Sequence, residues 1–157
     1  QWRSSAASDV YKRQILTYAE NLLIIAESQL RLNGFDNGLS ALNNYRSFLN
    51  SLFPNSYQPL NETDFQTGGV ENNDNLNPTD ALLKEILEEK YIMLFGTTEV
   101  FSDIRRTLSD VNSKVNLTPN TGTELPQRFL YPQSEIDRNS NAPNPIPGFF
   151  EPTQINK

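Results

Sequence analysis

The sequence predicts an all-α fold with long irregular loops and an extended, Pro-rich C-terminal strap. Three observations carry that expectation. Apolar residues recur at three- and four-residue steps in several separate windows, the period of a helix. Stretches rich in Asn, Gly, Asp and Pro lie between those windows and punctuate them. Seven of the ten prolines fall after Leu108 without any Gly-x-y period, which implies irregular or polyproline-like backbone there, not sheet interior.

The first helix is expected in ILTYAENLLIIAESQLRLNG, residues 15–34. Ile15, Ala19, Leu22, Leu23, Ala26 and Leu30 form one stripe, and Ile24 and Ile25 widen it, so the helix should be buried on more than one side. Gly34 suits its C-terminal cap. The second window, DNGLSALNNYRSFLNSLFP, places Leu39, Leu42, Tyr45, Leu49 and Leu52 on a stripe with Phe48 beside it, and Pro54 closes it. Two helices joined by a short turn make an antiparallel hairpin the size of one tetratricopeptide-like unit. One hairpin cannot bury its own face, so the fold class expected is tetratricopeptide-like helical repeats.

Residues 54–78 are polar, contain Gly68-Gly69 and lack periodicity, so a long surface loop is expected, either functional or disordered. A third helix follows from Pro78, with Asp80 and Glu85 toward its start. Its stripe is Leu82, Leu83, Ile86, Leu87, Tyr91 and Leu94, and Gly96 interrupts it. A fourth should begin after an N-cap at Thr97 or Thr98. Val100, Phe101 and Ile104 would face inward, and Arg105 and Arg106 would suit the C-terminal end of its dipole.

Composition narrows the function. The chain has 157 residues, enough for one domain burying roughly two-thirds of its unfolded surface. Hydrophobic residues make up 36% and the mean hydropathy is -0.56, in keeping with long polar loops. A net charge of -6 and a pI near 4.6 would repel a phosphate backbone, so no nucleic acid is expected as a partner, nor an anionic membrane held by a basic face. With no Cys and no His, disulfides, thiolate nucleophiles, Cys/His zinc sites and Ser-His-Asp triads are excluded. No cofactor and no metal is expected. No run approaches the apolar length of a membrane span.

Residues 1–14, QWRSSAASDVYKRQ, have no apolar period. They resemble a translated adaptor tract, SSAASDVYKRQ, found at the ends of unrelated sequences. They read as a non-native tail, leaving residues 15–157 as the protein proper.

Few residues offer themselves for chemistry. Glu99 and Asp103, spaced i,i+4 on a helix, could form the carboxylate pair of a glycosidase. Arg105 and Arg106 follow at once, so the pair reads first as an ion-paired cluster. Glu88-Glu89-Lys90 reads as a solvated helix face. ENNDNLNPTD has oxygen ligands suited to calcium but lacks the glycine and closing Glu of an EF-hand loop, so it reads as an ordinary loop. Asn61-Glu62-Thr63 and Asn116-Leu117-Thr118 match the glycosylation sequon, which would carry no meaning if the source is bacterial. Gly68-Gly69 lacks the context of a phosphate loop.

Three passages, in order, resemble one family. LTYAENLLIIAES is similar to the TYAE helix of the SusD/RagB family, glycan-binding outer-membrane lipoproteins of Bacteroidota. EILEEKYIMLFGTTEVFSDIRRT resembles that family's helix pair ending in Asp-x-Arg-Arg. LPQRFLYPQSEIDRN resembles its C-terminal segment through Pro126, Arg128, Tyr131, Pro132, Glu135 and Asn139. Gly96-Thr97-Thr98 departs from the family pattern, which often has a further apolar or Gly-Pro step there. The resemblance implies the C-terminal portion of a longer SusD-like helical domain. Its lipidated N-terminal Cys would lie in the part missing from this chain. It implies a surface-exposed lipoprotein of the cell outer membrane, reached only through that lipid anchor. Such a protein captures oligosaccharides or other nutrients, without catalysis, for a partner SusC-like TonB-dependent transporter. Tyr57 and Phe65 are the residue types of a sugar platform, although no ligand-binding set is assigned.

In that reading QRFLYPQSEIDRN, residues 127–139, would be a buried irregular strap. Tyr131 would anchor in the core, and Arg128 and Glu135 would satisfy backbone groups or each other. Two alternatives stand beside it. One is a helical-repeat protein-interaction module without glycan binding, and the other is a glycosidase using Glu99 and Asp103. A fragment of a helical-repeat core should also leave apolar helix faces exposed.

Overall fold

The structure, a computed structural model, describes residues 16–120 and 122–153. The tail read as non-native, residues 1–14, lies outside the described residues, as does Ile15. Helices dominate and no strand occurs among the described residues: α1 (Tyr18–Asn33), α2 (Phe35–Leu52), α3 (Pro78–Met93), α4 (Glu99–Arg106) and α5 (Gln133–Arg138), with a 3-10 turn at Glu62–Phe65. The expected all-α class holds. The chain divides into two compact units, the first ending at Met93 and the second beginning at Leu94.

In the first unit, α1 starts three residues later than its apolar stripe suggested. The cause is a capping box. The Glu20 N–H donates to Thr17 Oγ1 at 3.0 Å, and the Thr17 N–H donates to Glu20 Oε2 at 3.4 Å. Gly34 ends the helix as expected, with φ at 85° and its N–H on the Leu30 carbonyl. It is also the whole connection, because α2 begins at Phe35. The helices run antiparallel. Tyr18 at the start of α1 meets Phe48 near the end of α2 edge-on, with centroids 5.0 Å apart.

Close approach near the turn depends on Gly38. A Cβ built there would lie 2.6 Å from Leu30 Cβ and 2.9 Å from Leu30 Cα. Ala in a helix interior normally gains up to about 1 kcal/mol over Gly. Here the overlap with α1 backbone reverses the sign, so Gly38→Ala is expected to lose about 1–2 kcal/mol. Urea unfolding would show a lower midpoint at unchanged slope; a raised midpoint would refute the close crossing.

α1 packs on both α2 and α3, which fulfils the expectation of burial on two sides. Leu23, Ala26 and Leu30 meet Ala41, Leu42 and Tyr45 of α2 and Leu82, Leu83, Ile86 and Leu87 of α3 in one core. The third side stays open, with Ile24, Ile25 and Leu32 exposed. On α2 the buried set is Gly38, Ala41, Leu42 and Tyr45. Leu52, expected on the stripe, is exposed because it lies in the last turn, past the end of the core.

Residues 54–77 are not a free loop. Leu60 and Phe65 are core residues. Asn43 of α2 pins the Leu60 backbone from both sides, accepting its N–H at 2.8 Å and donating to its carbonyl at 2.9 Å. Phe65 enters the core beside Phe35, edge-on at 5.9 Å. Asn72 is buried and fully engaged. Its Nδ2 donates to the carbonyls of Phe65 and Leu76, and its Oδ1 accepts the Leu76 N–H, all at 2.8 Å. Gly69 fits where a Cβ would sit 2.3 Å from the Asp64 carbonyl oxygen. Asn77 then caps α3, accepting the Asp80 N–H at 3.0 Å, and Pro78 takes the first helical position as expected.

In the second unit, α4 has no buried residue, so Val100, Phe101 and Ile104 face inward only in part. Thr98 precedes α4 but its side chain makes no capping bond. Phe101 packs on Phe129 at 4.8 Å, and the Arg105 guanidinium lies 5.0 Å from the Phe101 ring centre. The segment 127–139 differs from the expected buried strap. Phe129 and Leu130 are exposed, Tyr131 is only half-buried, and residues 133–138 form α5. Pro132 starts that short helix, so polar groups pair locally: Asn139 donates to Glu135, not Arg128 to Glu135. Arg128 does serve backbone, as expected. Its Nε and Nη2 donate to the carbonyls of Glu151 and Pro152, each at 2.9 Å.

Candidate functional site

The second unit carries a cleft of about 610 Å³, a volume within the usual range for small-ligand sites. Local chemistry at the end of α4 builds it. Thr107 closes the helix, its hydroxyl donating to the Asp103 carbonyl at 3.0 Å. A turn follows, in which the Asp110 carbonyl accepts the N–H groups of Ser113 and Lys114. The chain then runs without helix through Lys114, Asn116 and Thr118, which line the cleft. Val115, Leu117 and Pro119 of the same run also line it, as does Leu108, and two further segments complete the lining: Thr123, Glu124, Leu125 and Gln127 in one, Phe150 and Pro152 in the other. These two segments are tied by the Gln127 N–H on the Phe149 carbonyl and by the Arg128 clamp.

The lining combines an aromatic ring, Phe150, with the amides of Asn116 and Gln127 and the hydroxyls of Thr118 and Thr123. Phe150 is 47% exposed and stands edge-on to Phe149 at 5.2 Å, so the ring is braced by a neighbour while part of it stays open to solvent. Lys114 and Glu124 are the charged residues of the lining, and they do not pair with each other.

Neither Glu99 nor Asp103 lines this cleft. Asp103 is held by Arg106 at 2.7–2.8 Å, as the ion-paired reading expected. Hydrogen bonds from its own backbone N–H and from Thr97 hold the fully exposed Glu99 carboxyl below its ordinary range. A general acid needs the opposite shift. In the first unit, ENNDNLNPTD places Asn72 in the core. Asp74 is bound by the Lys84 ammonium, which is held protonated above its usual range chiefly by that hydrogen bond. Among the described residues no group of three or more Asp, Glu, His or Cys could hold a metal ion. Nor is any helix there long and apolar enough to cross a membrane. Of the two platform types, Phe65 is buried, and Tyr57 is half-buried with the Arg46 guanidinium 5.9 Å from its ring centre.

Glu88-Glu89-Lys90 is not a solvated face. Lys90 lies in the core with Nζ 3.3 Å from Glu27 Oε2. Glu89 and Glu85 share Arg46 across to α2, at 3.0 and 3.8 Å. Burial pushes Glu85 up to about 7, helped by the charges of Glu71, Glu89 and Glu88 against the opposing pull of Arg46. Glu89 is also raised, first by burial, and burial pushes the Tyr45 phenol above its ordinary value.

A raised carboxyl means that the folded state binds more protons than the unfolded state between the two pKa values. Its stabilising contribution is therefore present below the ordinary carboxylate range and is lost as pH rises from about 4.5 through about 7. Glu85→Gln is expected to remove roughly 3 kcal/mol of this pH-dependent loss. Melting curves of both proteins between those pH values check it, and parallel profiles would refute it.

Compared with known proteins, the chain matches no family model, no curated protein and no solved structure.

Proposed function

We propose that the chain captures oligosaccharides at the bacterial surface, as the C-terminal portion of a SusD-like lipoprotein that serves a TonB-dependent transporter. The second unit's cleft is the observation that carries this. An exposed aromatic face beside amides and hydroxyls is what a sugar ring requires: apolar C–H groups stack and hydroxyls find donors and acceptors. The three family-like passages support it. The α1–α2 hairpin is then one tetratricopeptide-like unit of a larger repeat array, and residues 127–139 are the family's C-terminal segment. No covalent step is assigned, because Glu99 and Asp103 stand outside the cleft, Asp103 ion-paired to Arg106 and Glu99 held below its ordinary range.

Affinity electrophoresis of the full chain in gels carrying different soluble polysaccharides tests the reading. Retardation in at least one gel is expected, with no release of reducing sugar. Phe150→Ala should abolish the retardation without moving the melting temperature. Free migration through every gel overturns it.

A specific observation favours the interaction-module alternative. Ile24, Ile25 and Leu32 lie on the open side of α1 and are exposed, which suits a neighbouring helix.

A further inference from the structure

We infer that the glycan taken by the cleft is acidic, a uronate-bearing oligosaccharide whose carboxylate meets Lys114; this rests on the glycan-capture reading above. The argument begins with where the cations of this acidic chain go. Arg31 and Lys90 face Glu27, Arg46 faces Glu85 and Glu89, and Lys84 faces Asp74 and Glu88. Arg106 holds Asp103, and Arg128 is spent on two carbonyls. Arg105 donates to Thr153 and covers Phe101. Among the described residues that leaves the side chains of Lys114 and Arg138. Arg138 is exposed on α5. Lys114 is half-buried and lines the cleft.

An ammonium that a ligand covers must exchange its water for a partner or weaken binding. A neutral sugar offers hydroxyl dipoles to that exchange, whereas a carboxylate offers a full opposite charge and a charge-assisted hydrogen bond. The other charged lining residue, Glu124, is more exposed than the half-buried Lys114, so a ligand covers less of its charge. It weakens an anion's approach only through solvent, where screening is strong.

The test is a glycan array with matched neutral and uronate-containing oligosaccharides, probed with the full chain, followed by calorimetry on the best binder. Uronate members are expected to bind better than their neutral counterparts. Lys114→Gln should weaken the best binder about tenfold or more. Arg138→Gln, which removes the same net charge outside the cleft, should leave it unchanged. Glu124→Gln should leave it unchanged or tighten it. Added salt should weaken binding to the wild type more than to Lys114→Gln. Neutral members binding as well as uronates, or Lys114→Gln binding as the wild type does, overturns the acidic ligand and leaves glycan capture standing. An array with no binder overturns both.

Discussion

Glu27→Ala is expected to destabilise the protein by roughly 3 kcal/mol, because a buried ion pair broken from one side costs about 3–5 kcal/mol. The pair spans the core of the first unit, from α1 to α3, with Glu27 and Lys90 side chains only 7% and 6% exposed. Ala removes the carboxylate that lies 3.3 Å from Lys90 Nζ, and at 6% exposure water is poorly placed to replace it. The partner substitution is not symmetric. Lys90→Met leaves Glu27 still held by Arg31 Nε at 3.0 Å, so its cost is expected near 1–2 kcal/mol. Glu27→Leu with Lys90→Met removes both charges at similar volume and should return close to wild type. Urea unfolding of the singles and the double, read as a cycle, measures this directly. A Glu27→Ala loss below about 1 kcal/mol would mean that water reaches the pair and that the core is looser than described.

The same pair shows what a sequence reveals and what it hides. The three long helices were legible because their apolar residues keep one period over four turns each and because Gly34 and Pro78 mark boundaries through their own backbone chemistry. Lys90 was misread because it follows Glu88-Glu89, and charge triplets usually face water. Yet Lys90 continues the stripe of Leu83, Ile86 and Leu87, and Glu27 continues that of Leu23, Ala26 and Leu30. Opposite charges on the core stripes of two helices were the available signal, and the period contained it. Thr17 with Glu20 three residues on was a second one, and it sets the true start of α1.

The cleft had no such signal. Its lining comes from Leu108, from residues 114–119, from Thr123, Glu124, Leu125 and Gln127, and from Phe150 and Pro152, segments without a repeat, brought together by backbone pairing at Gln127 and Phe149 and by Arg128 reaching the carbonyls of Glu151 and Pro152. Bonds from a side chain to carbonyls over twenty residues away have no local signature. The strap was half-legible for a related reason. Arg128 was expected to serve backbone and does. The placement of Tyr131 depended on tertiary packing, and the local helix after Pro132 won that competition.

Phe65→Ala is expected to cost about 3–5 kcal/mol, the range for emptying an aromatic site in a core. The ring is 0% exposed although it sits in a stretch whose neighbours are Asp64 and Gln66. Everything around it is arranged to hold it. Asn43 fixes the chain at Leu60, Asn72 binds the Phe65 carbonyl, and Gly69 lets the backbone fold back over Asp64. Those contacts flank the ring on both sides in sequence, so the loss is expected to spread from the side chain to the segment. Limited proteolysis is then expected to cut residues 54–77 in Phe65→Ala under conditions that spare the wild type. Tyr57→Ala is the contrast. That ring is half-buried against Arg46, so its loss should cost less than about 1.5 kcal/mol and leave the segment resistant. Equal effects from the two substitutions would mean that the segment is held by its hydrogen bonds alone. A large effect from Phe65→Ala with the segment still uncut would mean that the ring stabilises the helices and not the loop.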